Sequence, residues 1–379
     1  MMKFKIIKLK NPAFKCISLI LTVLGVVFLV SSCNTGSTTP TSTSVQYSTF
    51  NYSGAYGSST ILTGVRAVTN TDNVYISGIY QESYNAPNQG LLYTGPINSL
   101  CSTCFQILNM PNAPGRTVTG TSFYGPDYNG YNNVTIVGSY TSVETESRNF
   151  GLLYQGPTDG TGVWTVLDPS VLATNPGESV TAVYARSTMG GLVVGNFDTN
   201  ITDGRAFIYN IANGSYVEIK KPGALSITAY GIWQNGSTSF TITGGYSDTN
   251  YNGLDIGYVV DYTNSPSASE SFTNWESYSY GNQTGNLISH FEGITTDGQN
   301  GYNLASDFTL NNESGAAFAN ISRNSDGTFE SDATWTYIGM PNSLITSANT
   351  VYQNYIIGVY VLNGNPFVVN GFTALVPIY

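Results

Sequence analysis

The sequence predicts an all-β fold, a six-bladed β-propeller of four-stranded antiparallel blades, on three observations. Beyond Val45 no segment keeps the 3.6-residue apolar period of a helix, and short β-branched and aromatic runs alternate with Asn-Gly, Asp-Gly, Pro-Asn and Pro-Gly turns. One strand pattern, ending in Gly-x-aromatic, recurs in six copies whose glycine positions are spaced by 60, 57, 49, 62 and 52 residues. Each copy has one strand-like run before it and two after it, so the repeating unit has four strands. A lone four-stranded sheet cannot bury both faces, whereas sheets set radially bury each face against a neighbour. Seven blades, or another repeat-built all-β architecture, are the alternatives.

The elements follow in chain order. Residues 1–32 read as an export signal. Five lysines fall within the first 15 residues, and an uncharged apolar run of 15 residues, Cys16 to Val30, follows. That run is short of the roughly 20 residues needed to cross a bilayer core. It ends in Val30-Ser31-Ser32-Cys33, which resembles the lipobox of bacterial lipoproteins. The resemblance implies that Cys33 becomes an acylated N-terminus anchored in a membrane, and several acyl chains give stable anchoring. With Asn34 rather than Asp after the cysteine, it implies the outer membrane if the cell is Gram-negative. Residues 33–45, rich in Ser, Thr, Gly and Pro, read as a flexible tether, and residues 46–379 as the propeller.

The Gly-x-aromatic strands are VYISGIY (Gly78, Tyr80), VTIVGSY (Gly138, Tyr140), LVVGNF (Gly195, Phe197), FTITGGY (Gly244, Tyr246) and YIIGVY (Gly358, Tyr360). A degraded copy, YNLASDF, puts Ser306 and Phe308 in the same places. The next strands begin at Gly90, Gly151, Gly204, Gly257, Gly315 and Asn365, and the outer ones carry Phe105, Trp164, Tyr216, Trp275 and Trp335. Opening strands lie near Thr63, Thr119, Thr181, Thr228, Ser289 and Ser347. Two segments compete for the last outer strand, one beginning at Tyr47 and one spanning Phe372 to Ile378.

Gly204-Arg205-Ala206-Phe207-Ile208-Tyr209, Gly315-Ala316-Ala317-Phe318 and Tyr230-Gly231-Ile232 before Thr243-Gly244-Gly245-Tyr246 resemble the bacterial extracellular repeat named for its His-Ala-Phe tripeptide. The histidine of that repeat is missing from every copy here. The family is defined by its repeat, so the resemblance implies no particular chemistry.

Charge excludes one class of partner. Without the signal and its five lysines, eight basic residues face 23 acidic ones, the reverse of a phosphate-backbone binder, so no nucleic-acid partner is expected. Catalytic signatures are sparse. The chain has one histidine and no HExxH, GxSxG, P-loop or correctly spaced Asp-box.

Aligning the opening strands on their starts places His290 level with Gly64, Gly120, Ala182, Ala229 and Ala348. Glu292 then falls level with Arg66, Ser122, Tyr184, Gly231 and Thr350. Alternation puts His290 and Glu292 on one face. If the opening strand is innermost, His290, Glu292, Arg66 and Tyr184 become candidate binding residues at a central channel.

Asp248, Asn250, Asn252 and Asp255, with Gly253, have the spacing of a Ca²⁺ loop, although Val259 stands where the bidentate acid would be. No other cofactor is expected. Cys101-Ser-Thr-Cys104 in an exported chain reads as a local disulfide. The functional expectation is a lipid-anchored envelope propeller that binds a protein or glycan ligand without catalysis. The alternative is a propeller hydrolase or lyase acting on envelope or host glycans. A deep cleft with two or more carboxylates converging over the channel would favour the enzyme, and a smooth channel mouth lined by Tyr, Asn and Ser would favour binding.

Overall fold

The computed structural model describes residues 44–52, 57–144, 148–265, 271–283, 287–311 and 313–377. The export signal, Cys33 and all but the end of the tether lie outside the described residues. Six four-stranded antiparallel sheets are present. Blade 1 comprises Ser59–Ala67, Asn73–Gln81, Gln89–Pro96 and Phe105–Ile107, and blade 2 Val118–Tyr128, Asn133–Ser142, Phe150–Pro157 and Val163–Leu167. Blade 3 comprises Val180–Met189, Leu192–Thr199, Arg205–Asn210 and Ser215–Ile219, and blade 4 Ala224–Gln234, Ser239–Asp248, Asp255–Thr263 and Phe272–Tyr278. Blade 5 comprises Leu287–Thr296, Gly301–Leu310, Glu313–Ser322 and Thr334–Ile338. Blade 6 takes Ser343–Tyr352, Tyr355–Leu362 and Asn365–Leu375, and its fourth strand is Gln46–Thr49 from the other end of the chain. The first strand of each blade touches that of the next, and the sixth touches the first, which closes a ring around a central channel.

Two segments competed to close this ring, and the N-terminal one does so. Gln46–Thr49 pairs with Phe372–Leu375. Phe372 onward is not a separate outer strand. It prolongs the third strand, with Phe372 opposite Gly358 and Leu375 opposite Tyr355. Asn370-Gly371 is therefore no turn. A β-carbon on Gly371 would lie 2.6 Å from the carbonyl oxygen of Phe50, so glycine there admits the closing chain.

Large apolar side chains gather between blades rather than at one centre, and each of the six junctions has its own cluster. Leu192 and Ile208 of blade 3 meet Ile227, Ile242 and Tyr258 of blade 4. Val259 and Tyr278 of blade 4 meet Phe291 and Leu304 of blade 5. Because both faces of a blade are covered, second strands such as Leu192–Thr199 are buried along their whole length. Each Leu, Val or Phe buried there contributes roughly 1.5–3 kcal/mol.

The recurring glycine has one cause in all its copies. Every first strand carries one extra residue, a β-bulge, just after the residue opposite that glycine. The bulge drives a carbonyl of the first strand toward the second. A β-carbon on Gly78, Gly138, Gly195, Gly244 or Gly358 would sit 2.0–2.4 Å from that oxygen. Blade 5 is the exception. There Ser306 replaces glycine, and its hydroxyl donates to the His290 carbonyl at 3.0 Å.

Candidate functional site

The six bulge residues are Thr63, Tyr124, Arg186, Tyr230, Glu292 and Asn349. They form a half-exposed ring at the channel, while the residue before each is buried. This ring corrects the strand alignment. Glu292 is level with Thr63 and Arg186, not with Arg66 and Tyr184. His290 is level with Ile61, Ser122, Tyr184, Thr228 and Ser347, so its slot is not one reserved for tiny residues. Aligning on strand openings fails because the strands start at different distances from their bulges.

Arg66 lies beyond the bulge and is buried, 7% exposed. Its Nη2 donates to the carbonyl of Ile232 at 2.6 Å, on blade 4 directly across the channel from blade 1. It also reaches Ser187 Oγ at 3.4 Å. Arg66 is a strut across the channel, and a ligand must approach from the rim above it. Tyr184 is fully buried, and burial pushes its phenol up. Its ring stands 5.0 Å from the Arg186 guanidinium, which also faces Tyr124 at 4.9 Å and Tyr230 at 4.8 Å.

His290 and Glu292 do meet, and a third group joins them. His290 Nε2 lies 2.6 Å from Glu292 Oε1, with side chains 23% and 7% exposed. Asp307, on the adjacent strand, is directly opposite His290. Ligating atoms of all three lie within 4.8 Å of one another. Asp307 is held from blade 6, where Ser347 Oγ donates to Oδ2 at 2.5 Å and the Ala348 N–H donates to Oδ1 at 2.8 Å. Blade 4 completes the enclosure. The Tyr230 ring stacks on the imidazole at 5.9 Å. A β-carbon on Gly245 would come within 2.8 Å of His290 Cβ, so that glycine makes room for the histidine.

The electrostatics follow from burial and crowded charge. Burial opposes a charge on His290, but Glu292, with Asp307 and Asp255 behind it, outweighs this and pushes the imidazole up to about 9. Burial and the neighbouring Glu292 carboxylate push Asp307 well above the usual carboxylate range, against the pull of His290 and two hydrogen bonds. Glu292 Oε1 is buried and its contact is the 2.6 Å ion pair with His290 Nε2.

Asp307 escaped the reading of the sequence. Its signal was present: it stands between Ser306 and Phe308 in YNLASDF, the one copy that lacks the glycine. Matching copies on that position and its bulge, rather than on strand openings, brings Asp307 opposite His290.

The remaining candidates lie elsewhere. Cys101 and Cys104 are joined by a disulfide, Cα atoms 5.3 Å apart, in the loop before the outer strand of blade 1. Asp248 Oδ1 accepts the N–H groups of Asn250 at 2.8 Å and Tyr251 at 3.1 Å, and its backbone oxygen accepts that of Gly253 at 2.8 Å. Its acceptors therefore hold the turn itself. Asn252 occupies that turn with φ 55°, and Asp255 opens the next strand opposite Ser247.

No protein-family model matches the chain, and no curated protein matches it. Among solved structures it is similar to a GH43_1 enzyme from Xanthomonas citri, at 10% identity and TM-score 0.36, over 76% of this chain and 93% of that one. The same enzyme complexed with xylose matches at TM-score 0.35, 10% identity, over 76% and 92%. YCF48 from Cyanidioschyzon merolae matches at 7% identity and TM-score 0.37, over 87% and 98%. NanB sialidase from Streptococcus pneumoniae matches at 11% identity and TM-score 0.33, over 86% of this chain and 57% of that one. The expectation of a binding module without catalysis is corrected at this point. Two carboxylates, Glu292 and Asp307, converge beside His290, the feature named above as favouring the alternative reading.

Proposed function

We propose that the chain is a glycan-acting enzyme, cleaving glycosidic bonds of envelope or host glycans at the mouth of its channel. One observation carries the reading: Glu292 and Asp307 converge with the only histidine of the chain on one rim of the ring. Only 9% of residues are charged, so placing two acids together in a half-buried setting is a costly arrangement with no packing purpose. Breaking a glycosidic bond requires a proton for the leaving oxygen and negative charge beside the anomeric carbon, and such a cluster supplies both.

The test is turnover of a panel of glycans and aryl glycosides by the purified protein. Glu292→Gln and Asp307→Asn are each expected to reduce kcat by about 100-fold or more while the variants keep the wild-type circular dichroism. Failure of the wild type to cleave any member, or full activity in both folded variants, overturns the reading.

We also place the enzyme at the cell envelope, held through Cys33, on the strength of the lipobox-like Val30-Ser31-Ser32-Cys33. Cys33→Ala is expected to move the protein from the detergent phase to the aqueous phase on phase separation. Retention of the variant in the detergent phase contradicts the anchor.

A further inference from the structure

We propose that His290, Glu292 and Asp307 bind a divalent cation of the zinc or manganese type at the channel mouth. The donor set is one imidazole nitrogen and two carboxylates, with ligating atoms within 4.8 Å of one another. Ligands about 2.0–2.2 Å from a shared cation are at most about 4.4 Å apart, so a shift of a few tenths of an ångström closes the site.

A second, independent feature points to an absent partner. The Glu292 side chain is 7% exposed, and its buried Oε1 has no hydrogen-bond partner beyond the ion pair with Nε2 at 2.6 Å. The atom facing it is the imidazole nitrogen, itself a metal-ligating atom, and a cation entering between the two would replace their ion pair by opening it to about 3 Å. The support behind them is of the kind that orients metal ligands. Ser347 Oγ and the Ala348 N–H grip the Asp307 carboxylate, and Ser306 Oγ grips the His290 carbonyl. All three ligands stand on paired strands, which fix their directions more tightly than loops do.

The chemistry of the donors selects the ion. A nitrogen donor with two carboxylates suits zinc or manganese, whereas Ca²⁺ gathers six to eight oxygens. Three protein ligands leave coordination positions open, and here they face the rim. The inference deepens the functional reading and rests on it only for its role. A cation held there would supply charge that acidifies a water beside the cluster, with His290, Glu292 and Asp307 as the residues that hold it.

The experiment is calorimetric titration of untagged, EDTA-stripped protein with ZnCl₂, MnCl₂ and CaCl₂ separately. One equivalent of zinc or manganese per chain is expected to bind, and calcium is not. His290→Ala and Glu292→Gln are expected to weaken binding by about 100-fold or more, and Ser347→Ala, which touches no cation, by about tenfold. Absence of stoichiometric binding, equal binding of calcium, or unchanged affinity in all three variants overturns the site. The two readings fail separately. Glycan cleavage that persists undiminished in EDTA removes the metal and leaves the enzyme, whereas metal binding without cleavage of any glycan does the reverse.

Discussion

Gly244→Ala is expected to destabilise the propeller by about 2–3 kcal/mol and to lower its melting temperature by several degrees. The new methyl group would lie 2.0 Å from the carbonyl oxygen of Thr228, 2.9 Å from its carbon and 3.1 Å from the Cα of Ala229. All three are backbone atoms of an innermost strand, which is packed on both sides by its neighbours in the ring. They cannot rotate away as a side chain would, so the strands must separate or the bulge must be lost. Gly364→Ala is the matched control, since no atom lies within 4 Å of its added β-carbon. It is expected to melt with the wild type. Equal melting of all three proteins would remove the close approach as the reason for the repeat glycine.

Phe50→Ala is expected to cost about 3–5 kcal/mol, the range for emptying a buried aromatic site. Phe50 is 1% exposed and sits where the ring closes. Its ring meets Tyr93 at 4.9 Å and Phe105 at 6.1 Å in blade 1, while its N–H donates to Gly371 in blade 6 at 2.8 Å. It thus ties the first blade to the last through a segment outside both of their first three strands. Chemical unfolding monitored by tryptophan fluorescence measures the loss. A change under 1 kcal/mol would mean that closure rests on the strand pairing alone.

The blades were legible because each repeat must solve the same packing problem, so the glycine and its following aromatic recur where the bulge demands them. Closure was not legible. The candidate outer strands near Tyr47 and Phe372 carry similar apolar patterns, and only the three-dimensional approach of Phe50 to Gly371 decides between them. Half of the site was legible, since His290 and Glu292 stand two apart on one strand. Asp307 was hidden because it joins them through a cross-strand contact. The register of that contact depends on a bulge, and a bulge leaves no residue signature in its own strand. Arg66 was misassigned because Gly64, taken as level with His290, stands three places after Ile61, the residue that is level with it once both strands are counted from their bulges.

The closing strand also sets how the protein bears load. Any pull on the chain ahead of Gln46 enters the propeller through four residue pairs, Gln46 with Leu375 to Thr49 with Phe372. Tension along the strand strains those pairs together, and they resist as a unit. Tension directed outward from the ring peels them one after another from Gln46, each at the small force of a single pair. Under flow or contact with a large polymer, the direction of the tug therefore decides whether the circle of blades stays latched or springs open at blade 6.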